Sequence, residues 1–339
     1  MSEVGEFVSS YFRARPAGRS STASKSYKIG PIARPFLGND SVMPVAYTHR
    51  LAIATSVAEP EIHSDDKHLA VSLRSLGVET IACIWNDPAV DWASFDAVLI
   101  RSIWDYFKHY ASFKQWLAQL PVPTINNKDL LLWNSDKRYL IELEKHGVPI
   151  IPTQVVSASQ LRGTLAAMPG HEVVIKPTVS GTAWHTVRGV AGEPAFDLIV
   201  AQLPPEFDYL VQPYVPEVAS DGEWSLLFFD GEYSHAVIKR PKAGDYRVQS
   251  DFGGVSQLAD PGADLLASAR RVLEAAAAIG HADVAYARID GVISQGRFLL
   301  MELEMIEPFL HLGNRADASE RFAANLFKRL TDSVNDAVR

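Results

Sequence analysis

From residue 50 onward, short apolar runs of strand length alternate with stretches whose apolar residues recur every three or four positions. "LAIATS" predicts a strand, "SDDKHLAVSLRSLG" a helix that closes on Gly77, and "VETIACIW" and "FDAVLIRSI" two further strands. A helix through "YASFKQWLAQL" and a short strand at "PTINN" complete one α/β unit over residues 50–127. Next, "SDKRYLIELEKHGVP" reads as a helix that Ser135 or Asp136 caps and Gly147 closes. Strands follow at "EVVIKP" and "YLVQPYV", then an antiparallel pair at "EWSLLFFDG" and "EYSHAVIKR", an alanine-rich helix over 263–279 and a final hairpin. No internal repeat or heptad run interrupts this order.

The hairpin "RIDGVISQGRFLLMELEMIEP" carries Glu302 and Glu304 inside an otherwise apolar strand. Side chains alternate along a strand, so the two carboxylates share one face while Met301, Leu303 and Met305 are expected on the other. A turn at Ser294, Gln295, Gly296 and Arg297 folds Asp290 back towards Glu302. Three converging carboxylates are tolerable if they take up protons, meet basic side chains, or share a hard divalent cation such as Mg²⁺. A solvated hairpin face is the alternative.

Composition narrows the classes. A chain of 339 residues is long enough for two or three compact units, and 47% hydrophobic with 21% charged residues is ordinary for a soluble globular protein. The single cysteine, Cys83, allows no internal disulfide and no multi-cysteine zinc site, and fits a reducing, cytoplasmic setting. A net charge of -8 argues against general nucleic-acid binding, and no apolar run has the length of a membrane span. Residues 1–42 are rich in Ser, Arg and Gly, lack a periodic pattern and read as a disordered extension. Organelle targeting, a non-catalytic extension and a start at Met43 are all compatible with them, although Glu3 and Glu6 are unusual in a transit peptide.

Candidate chemistry is ionic. GxSxG, HExxH and GxGxxG are absent, so serine-hydrolase, zincin and dinucleotide readings have no foothold. Lys176 ends an apolar strand before the small residues Ser180, Gly181 and Thr182, a pairing of point charge and backbone N–H groups that suits phosphate; a surface lysine is the alternative, there and at Lys137. Gln212 and Pro213 form either a plain strand exit or a hinge whose backbone could pair with an adenine edge. Lys239, Arg240, Lys242 and Arg247, interrupted by Gly244, Asp245 and Gly253–Gly254, make a loop suited to phosphates or a carboxylate, or else a solvated basic loop.

Taken in order, these pieces resemble the ATP-grasp enzymes over about residues 50–330, nearest the branch of ribosomal-protein glutamate ligase and glutathione synthetase. The resemblance implies a mixed α/β and α+β fold: an N-terminal α/β domain (43–127) and two α+β subdomains (128–215 and 216–335) that enclose ATP. It implies Lys137 and Lys176 on the nucleotide phosphates, Ser180, Gly181 and Glu223 elsewhere in the nucleotide site, and Gln212, Pro213, Tyr214 and Val215 around adenine. Arg240 and Arg247 are implied to stabilise the transferred phosphoryl group and a bound carboxylate, and Asp290, Glu302 and Glu304 to bind Mg²⁺ or Mn²⁺. The implied activity joins a small-molecule carboxylate to an amine through an acylphosphate, with no nucleic acid or membrane involved and a homo-oligomer left open. Two departures stand out: Glu304 occupies the place of a usual asparagine, and "TVSGTAW" replaces the usual Gly-Ser-x-Gly loop. "RSIWDY", "GEWSLLFFDGEYSHAVIKRP" and "MELEMIEP" resemble a subgroup that includes the O-ureido-serine cyclo-ligase of D-cycloserine biosynthesis. That resemblance implies intramolecular amide formation and nominates Trp104, Asp105 and Tyr106 to face substrate, with a packed strand exit as the alternative. A nucleotide-binding module without ligase activity is the competing expectation.

Overall fold

The computed structural model describes residues 47–242, 247–248 and 252–337. The readings made on residues 1–42, Met43, Gly244 and Asp245 lie outside these described residues.

The first α/β unit comprises β1 (His49–Thr55), α1 (Lys67–Ser75), β2 (Val78–Ile84), β3 (Ala97–Ser102) and α2 (Tyr110–Gln119). Its three strands are parallel in the order β2-β1-β3. The expected strand at "PTINN" is instead a single bridge between Val98 and Thr124. The nearby Asn126 side chain has other work: its Nδ2 donates to Tyr286 O (2.9 Å) and Met305 O (2.7 Å), and its Oδ1 accepts from Ala285 N (2.8 Å). Buried backbone groups left without partners cost about 1–3 kcal/mol each. Asn126→Ala is therefore expected to lower unfolding free energy by about 3 kcal/mol, read as a lower urea midpoint at unchanged slope.

Two short helices, α3 (Lys128–Asn134) and α4 (Tyr139–Lys145), follow. The first was not legible from spacing; Asn127 caps it by accepting from Leu130 N at 2.9 Å. The second starts later than the sequence suggested, with Asp136 Oδ1 accepting from Arg138 N at 3.0 Å while Ser135 bonds Tyr110 instead. Leu130, Tyr139, Leu140 and Leu143 join the apolar core of the C-terminal sheet described below.

A four-stranded antiparallel sheet, ordered β4-β7-β5-β6, comes next: β4 (Gln154–Ser157), α5 (Ala158–Ala166), β5 (Glu172–Pro177), β6 (Val187–Val190), α6 (Pro194–Val200) and β7 (Asp208–Pro213). The last part holds α7 (Glu217–Ser220), β8 (Glu223–Phe229), β9 (Glu232–Arg240), β10 (Val255–Ala259), α8 (Gly262–Ile279), β11 (Tyr286–Ser294), β12 (Arg297–Glu304) and α9 (Ala318–Ala337). Its five strands run in the order β10-β9-β8-β11-β12. The C-terminal α9 places Phe322, Leu326 and Leu330 in one core with Leu51, Leu69 and Leu73 of the first unit and Leu227 and Phe229 of β8, Phe322 stacking on Phe229 at 4.4 Å.

The β11–β12 hairpin sets the site. Gln295 (φ 51°) and Gly296 (φ 75°) make a two-residue turn whose positive φ values match the twist of the strands. Asp290 then lies directly opposite Glu302. Between Asp290 and Gly291 the register slips by one residue, a β-bulge that inserts Met301. This corrects the simple alternation: Met301 does not face away from the glutamates but joins Leu299, Val215 and Val218, while Leu303 and Met305 enter the core with Phe298 and Leu300. Without the extra residue Glu302 and Glu304 would share the face of Phe298 and Leu300, and the carboxylates would be driven into the core. Gly291 makes the bulge fit, since a Cβ there would lie 2.3 Å from the Phe298 ring.

Candidate active site

β12 is an edge strand, and past the bulge side chains complete its hydrogen bonds. Tyr139 Oη accepts from Leu303 N at 2.9 Å, Asn134 Nδ2 donates to Leu303 O at 2.7 Å, and Asn134 Oδ1 accepts from Met305 N at 2.8 Å. These three buried bonds hold the Glu302–Glu304 segment at the rim of a cleft of about 660 Å³. The cleft is bounded by the strand ends of both antiparallel sheets and by the loops that follow β1 and β3, the usual ligand position at the C-terminal edge of parallel strands.

A network of alternating charge lines its base. Lys137 Nζ lies 3.0 Å from Glu302 Oε1 and also donates to Ser180 O. Lys239 Nζ bridges Glu223 (2.5 Å) and Asp290 (3.2 Å), and Arg288 bridges Asp290 (2.8 Å) and Glu304 (2.5 Å) while donating to Phe309 O at 3.0 Å. Ser225 Oγ donates to the other Asp290 oxygen at 2.5 Å. Burial opposes the charge on Asp290, yet Arg288 and Lys239 outweigh it and hold the carboxyl well below the usual range. Burial likewise opposes ionisation of Glu302, and Lys137 and Lys176 override it, keeping that carboxyl low. Glu304 behaves oppositely: burial, reinforced by Glu302 and Asp290, outweighs Arg288 and pushes it up to about 8. At Lys176, burial lowers the ammonium pKa, and an arriving anion would oppose that shift.

At the other end of the cleft, Gln212, Pro213, Tyr214 and Val215 line an apolar slot with Ile151, Val218 and Met301. Gln212 is buried and donates to Thr153 Oγ1 at 2.8 Å, and the Tyr214 ring carries the Arg188 guanidinium 3.5 Å from its centroid. Between slot and charge network lies the segment 178–186. Thr182 (φ 48°) and Ala183 (φ 57°) adopt left-handed backbone, at about 1–2 kcal/mol each. Trp184 sits between Phe107 (5.4 Å) and Phe207 (5.3 Å), and Gly181 approaches Phe107 so closely that a Cβ would lie 2.6 Å from its ring. The aromatic contacts, about 0.5–1.5 kcal/mol each, offset the strain. Trp184→Ala is expected to raise the KM for the nucleotide that the sequence motifs imply about tenfold with little change in melting temperature, and Trp184→Phe to recover most of it.

All but one of the residues nominated for catalysis, nucleotide or metal line the cleft: Lys137, Lys176, Ser180, Gly181, Gln212, Pro213, Tyr214, Val215, Glu223, Arg247, Asp290, Glu302 and Glu304. Arg247 carries its guanidinium 3.7 Å from the Phe252 ring centroid. Arg240 is the exception, because alternation along β9 turns Lys239 inward and leaves Arg240 exposed and outside the lining. Trp104 and Tyr106 line the far wall; Asp105 instead accepts from Trp85 Nε1 at 2.9 Å. Sequence reasoning missed Arg288, whose only local sign is its position two residues before Asp290 and hence on the same strand face.

Among the described residues no three His, Cys, Asp or Glu side chains stand ready-made around a metal position. The donor set still fits Mg²⁺ in part. Asp290 is buried with both oxygens committed, whereas Glu302 and Glu304 keep about a quarter of their side chains open to the cleft (27% and 25%). Mg²⁺ typically takes one or two carboxylates together with substrate phosphates, which two open glutamates supply.

Comparison with known proteins bears on this geometry. Residues 51–126 match the family described as D-cycloserine synthetase DcsG, N-terminal domain. Over 300 residues, 83% of this chain and 98% of the relative, the sequence is 34% identical to the cycloserine biosynthesis protein DcsG of Streptomyces lavendulae. The chain belongs to the DcsG family of ATP-grasp enzymes. The crystal structure of D-cycloserine synthetase DcsG superposes with a TM-score of 0.74, covering 83% of this chain and 99% of that one at 34% identity. Glutathione synthetase of Prochlorococcus marinus is 31% identical over 208 residues, 58% of each chain. D-alanine–D-alanine ligase of Bacillus anthracis in complex with ATP shares the fold at a TM-score of 0.56 and 14% identity, with coverage of 83% and 99%. This DcsG-family protein therefore has the ATP-grasp fold and is an ATP-dependent carboxylate–amine ligase.

Proposed function

We propose that the protein closes a small amino-acid derivative on itself, activating its carboxylate with ATP and capturing it with a nitrogen of the same molecule. O-ureido-D-serine is the first candidate substrate: ring closure through its N–H nitrogen gives an N-carbamoyl ring, and attack of water on the carbamoyl carbon, which breaks the ring-N–CO bond and releases carbon dioxide and ammonia, gives D-cycloserine. The observation that carries this reading is the cation–carboxylate network at the base of the cleft, in a chain 34% identical to a cycloserine biosynthesis protein along nearly all of that relative's length.

Adenine would occupy the slot formed by Gln212–Val215, Ile151 and Met301, with the phosphates running towards Lys176, Lys137 and the Ser180–Gly181 backbone. Glu302 and Glu304 would hold Mg²⁺, which neutralises phosphate charge when bound. Asp290, in this reading, anchors Arg288 and Lys239 and does not contact the ion. Arg288, Lys239 and Arg247 present positive charge where the γ-phosphoryl group passes to the substrate carboxylate, so catalysis is chiefly positioning and charge stabilisation. The carboxylate oxygen attacks γ-phosphorus and ADP leaves; nitrogen then attacks the acyl carbon of the acylphosphate and inorganic phosphate departs with the C–O electron pair. Trp104 and Tyr106 bound the space left for the substrate.

The test is phosphate release from ATP and Mg²⁺ with O-ureido-D-serine, D-serine and a panel of amino acids and carboxylates, with product masses recorded. A cyclised product formed stoichiometrically with phosphate is expected from the first. Phosphate release with only intermolecular amides as products would refute ring closure while leaving ligation intact.

A further inference from the structure

The acids around the reaction centre are almost all engaged. Glu223 and Asp290 pair with Lys239, Glu302 with Lys137, and Asp290 and Glu304 with Arg288. Glu59, on the loop after β1, and Glu307 differ: among the described residues neither carboxyl has an ion-pair partner, and of the two it is Glu307, three residues beyond Glu304, that adjoins the network. It is nonetheless close enough to Lys137, Glu302 and Arg288 to feel their charges, and burial with Glu302 pushes it up to about 7. Its position is fixed from the substrate side, because its backbone carbonyl accepts from Trp104 Nε1 at 3.0 Å and Trp104 is in turn edge-on to His63 at 5.1 Å. An acid placed at the boundary between phosphate chemistry and the aromatic substrate wall, yet not used to hold a lysine or arginine, has a task left to do.

That task follows from the reaction. A nitrogen that forms a bond to an acyl carbon must lose a proton, and the cations that favour phosphoryl transfer are the wrong groups to take it. His311 also lines the cleft, but its burial and the neighbouring Arg288 and Lys239 oppose positive charge there, which makes it a poor acceptor. Resting on the acyl-transfer reading above, we propose that Glu307 is the general base that removes the N–H proton from the attacking nitrogen of the substrate. The proton passes from nitrogen to the Glu307 carboxylate as the C–N bond forms, the acyl C–O bond breaks, and phosphate leaves with that electron pair.

Hydroxylamine separates this step from activation, since it captures acylphosphates without needing a base in the protein. Wild type and Glu307→Gln would be run with ATP, Mg²⁺ and O-ureido-D-serine, with and without hydroxylamine, and the cyclic product and hydroxamate quantified. The expected result is a loss of cyclised product by about 10²–10³-fold, with hydroxamate formation retained, so that the product ratio swings towards hydroxamate by the same factor. This ratio does not depend on the fraction of variant that folds. Glu307→Asp, which keeps the carboxylate, should recover part of the cyclisation. An unchanged ratio, whether both products fall together or neither falls, overturns the assignment. If wild type itself gives neither product, the acylphosphate reading fails and this assignment falls with it.

Discussion

Glu302→Ala is expected to reduce ATP turnover by about 10³-fold in a protein that still folds. Glu302 faces Asp290 across the hairpin, holds Lys137 at 3.0 Å and is the carboxylate that Lys137 and Lys176 keep ionised. Its removal takes away one Mg²⁺ ligand of the proposed set and releases the Lys137 ammonium from its orientation. In the proposed function each is a charge aimed at the transferring phosphoryl group, where single interactions are commonly worth about 10²–10³ in rate. The structural cost is smaller. Glu302 retains 27% exposure, but Lys137 is only 7% exposed and is left with its bond to Ser180 O, so the loss is about 3 kcal/mol. Phosphate release at saturating ATP and a urea titration on the same sample give the two numbers. Turnover equal to wild type would remove Glu302 from the machinery.

Arg288→Met should be costly in both respects. Arg288 is only 9% exposed, spans Asp290 and Glu304, and is tied to Phe309 O. Deleting its charge leaves two carboxylates facing each other with Lys239 as the remaining near cation, and breaking a buried pair in this way costs about 3–5 kcal/mol. Arg288→Lys separates stability from catalysis. A lysine restores one positive charge but not the planar fork that reaches Asp290, Glu304 and Phe309 O together. Much of the urea midpoint is expected to return in Arg288→Lys, while turnover stays at least about 10²-fold below wild type. A variant with restored turnover would show that Arg288 serves only as a counter-ion.

The acidic hairpin shows how far local pattern reaches. The Gln295–Gly296 turn fixes the register as far as Gly291 opposite Leu300, and the bulge at Met301 then brings Asp290 opposite Glu302. The bulge at Met301 was not legible, because "FLLMELEM" is compatible with either face until the core claims Phe298, Leu300 and Leu303 together. The same limit hid Arg288, which looks like any strand arginine until Asp290 and Glu304 are on either side of it. Arg240 was nominated with its neighbours because a basic run does not say which member points inward; pairing of β9 with β8 decided for Lys239.

The strands β1–β3, β5, β7–β9, the helices α1, α2, α4 and α8, the β11–β12 hairpin and the ordered lysine, glutamine and carboxylate motifs were determined by the sequence itself, since each rests on residues a few positions apart whose spacing sets which side chains share a face. Only the tertiary structure decided which charges pair, that Asn126, Asn134 and Tyr139 supply the missing edge of β12, that Trp184 bridges Phe107 and Phe207, and that Glu307 is left over. Those contacts join residues that are mostly far apart in the chain, for instance Asn134 and Met305, and a side chain's partner at such separation is set by packing of whole elements and not by any pattern in its own neighbourhood.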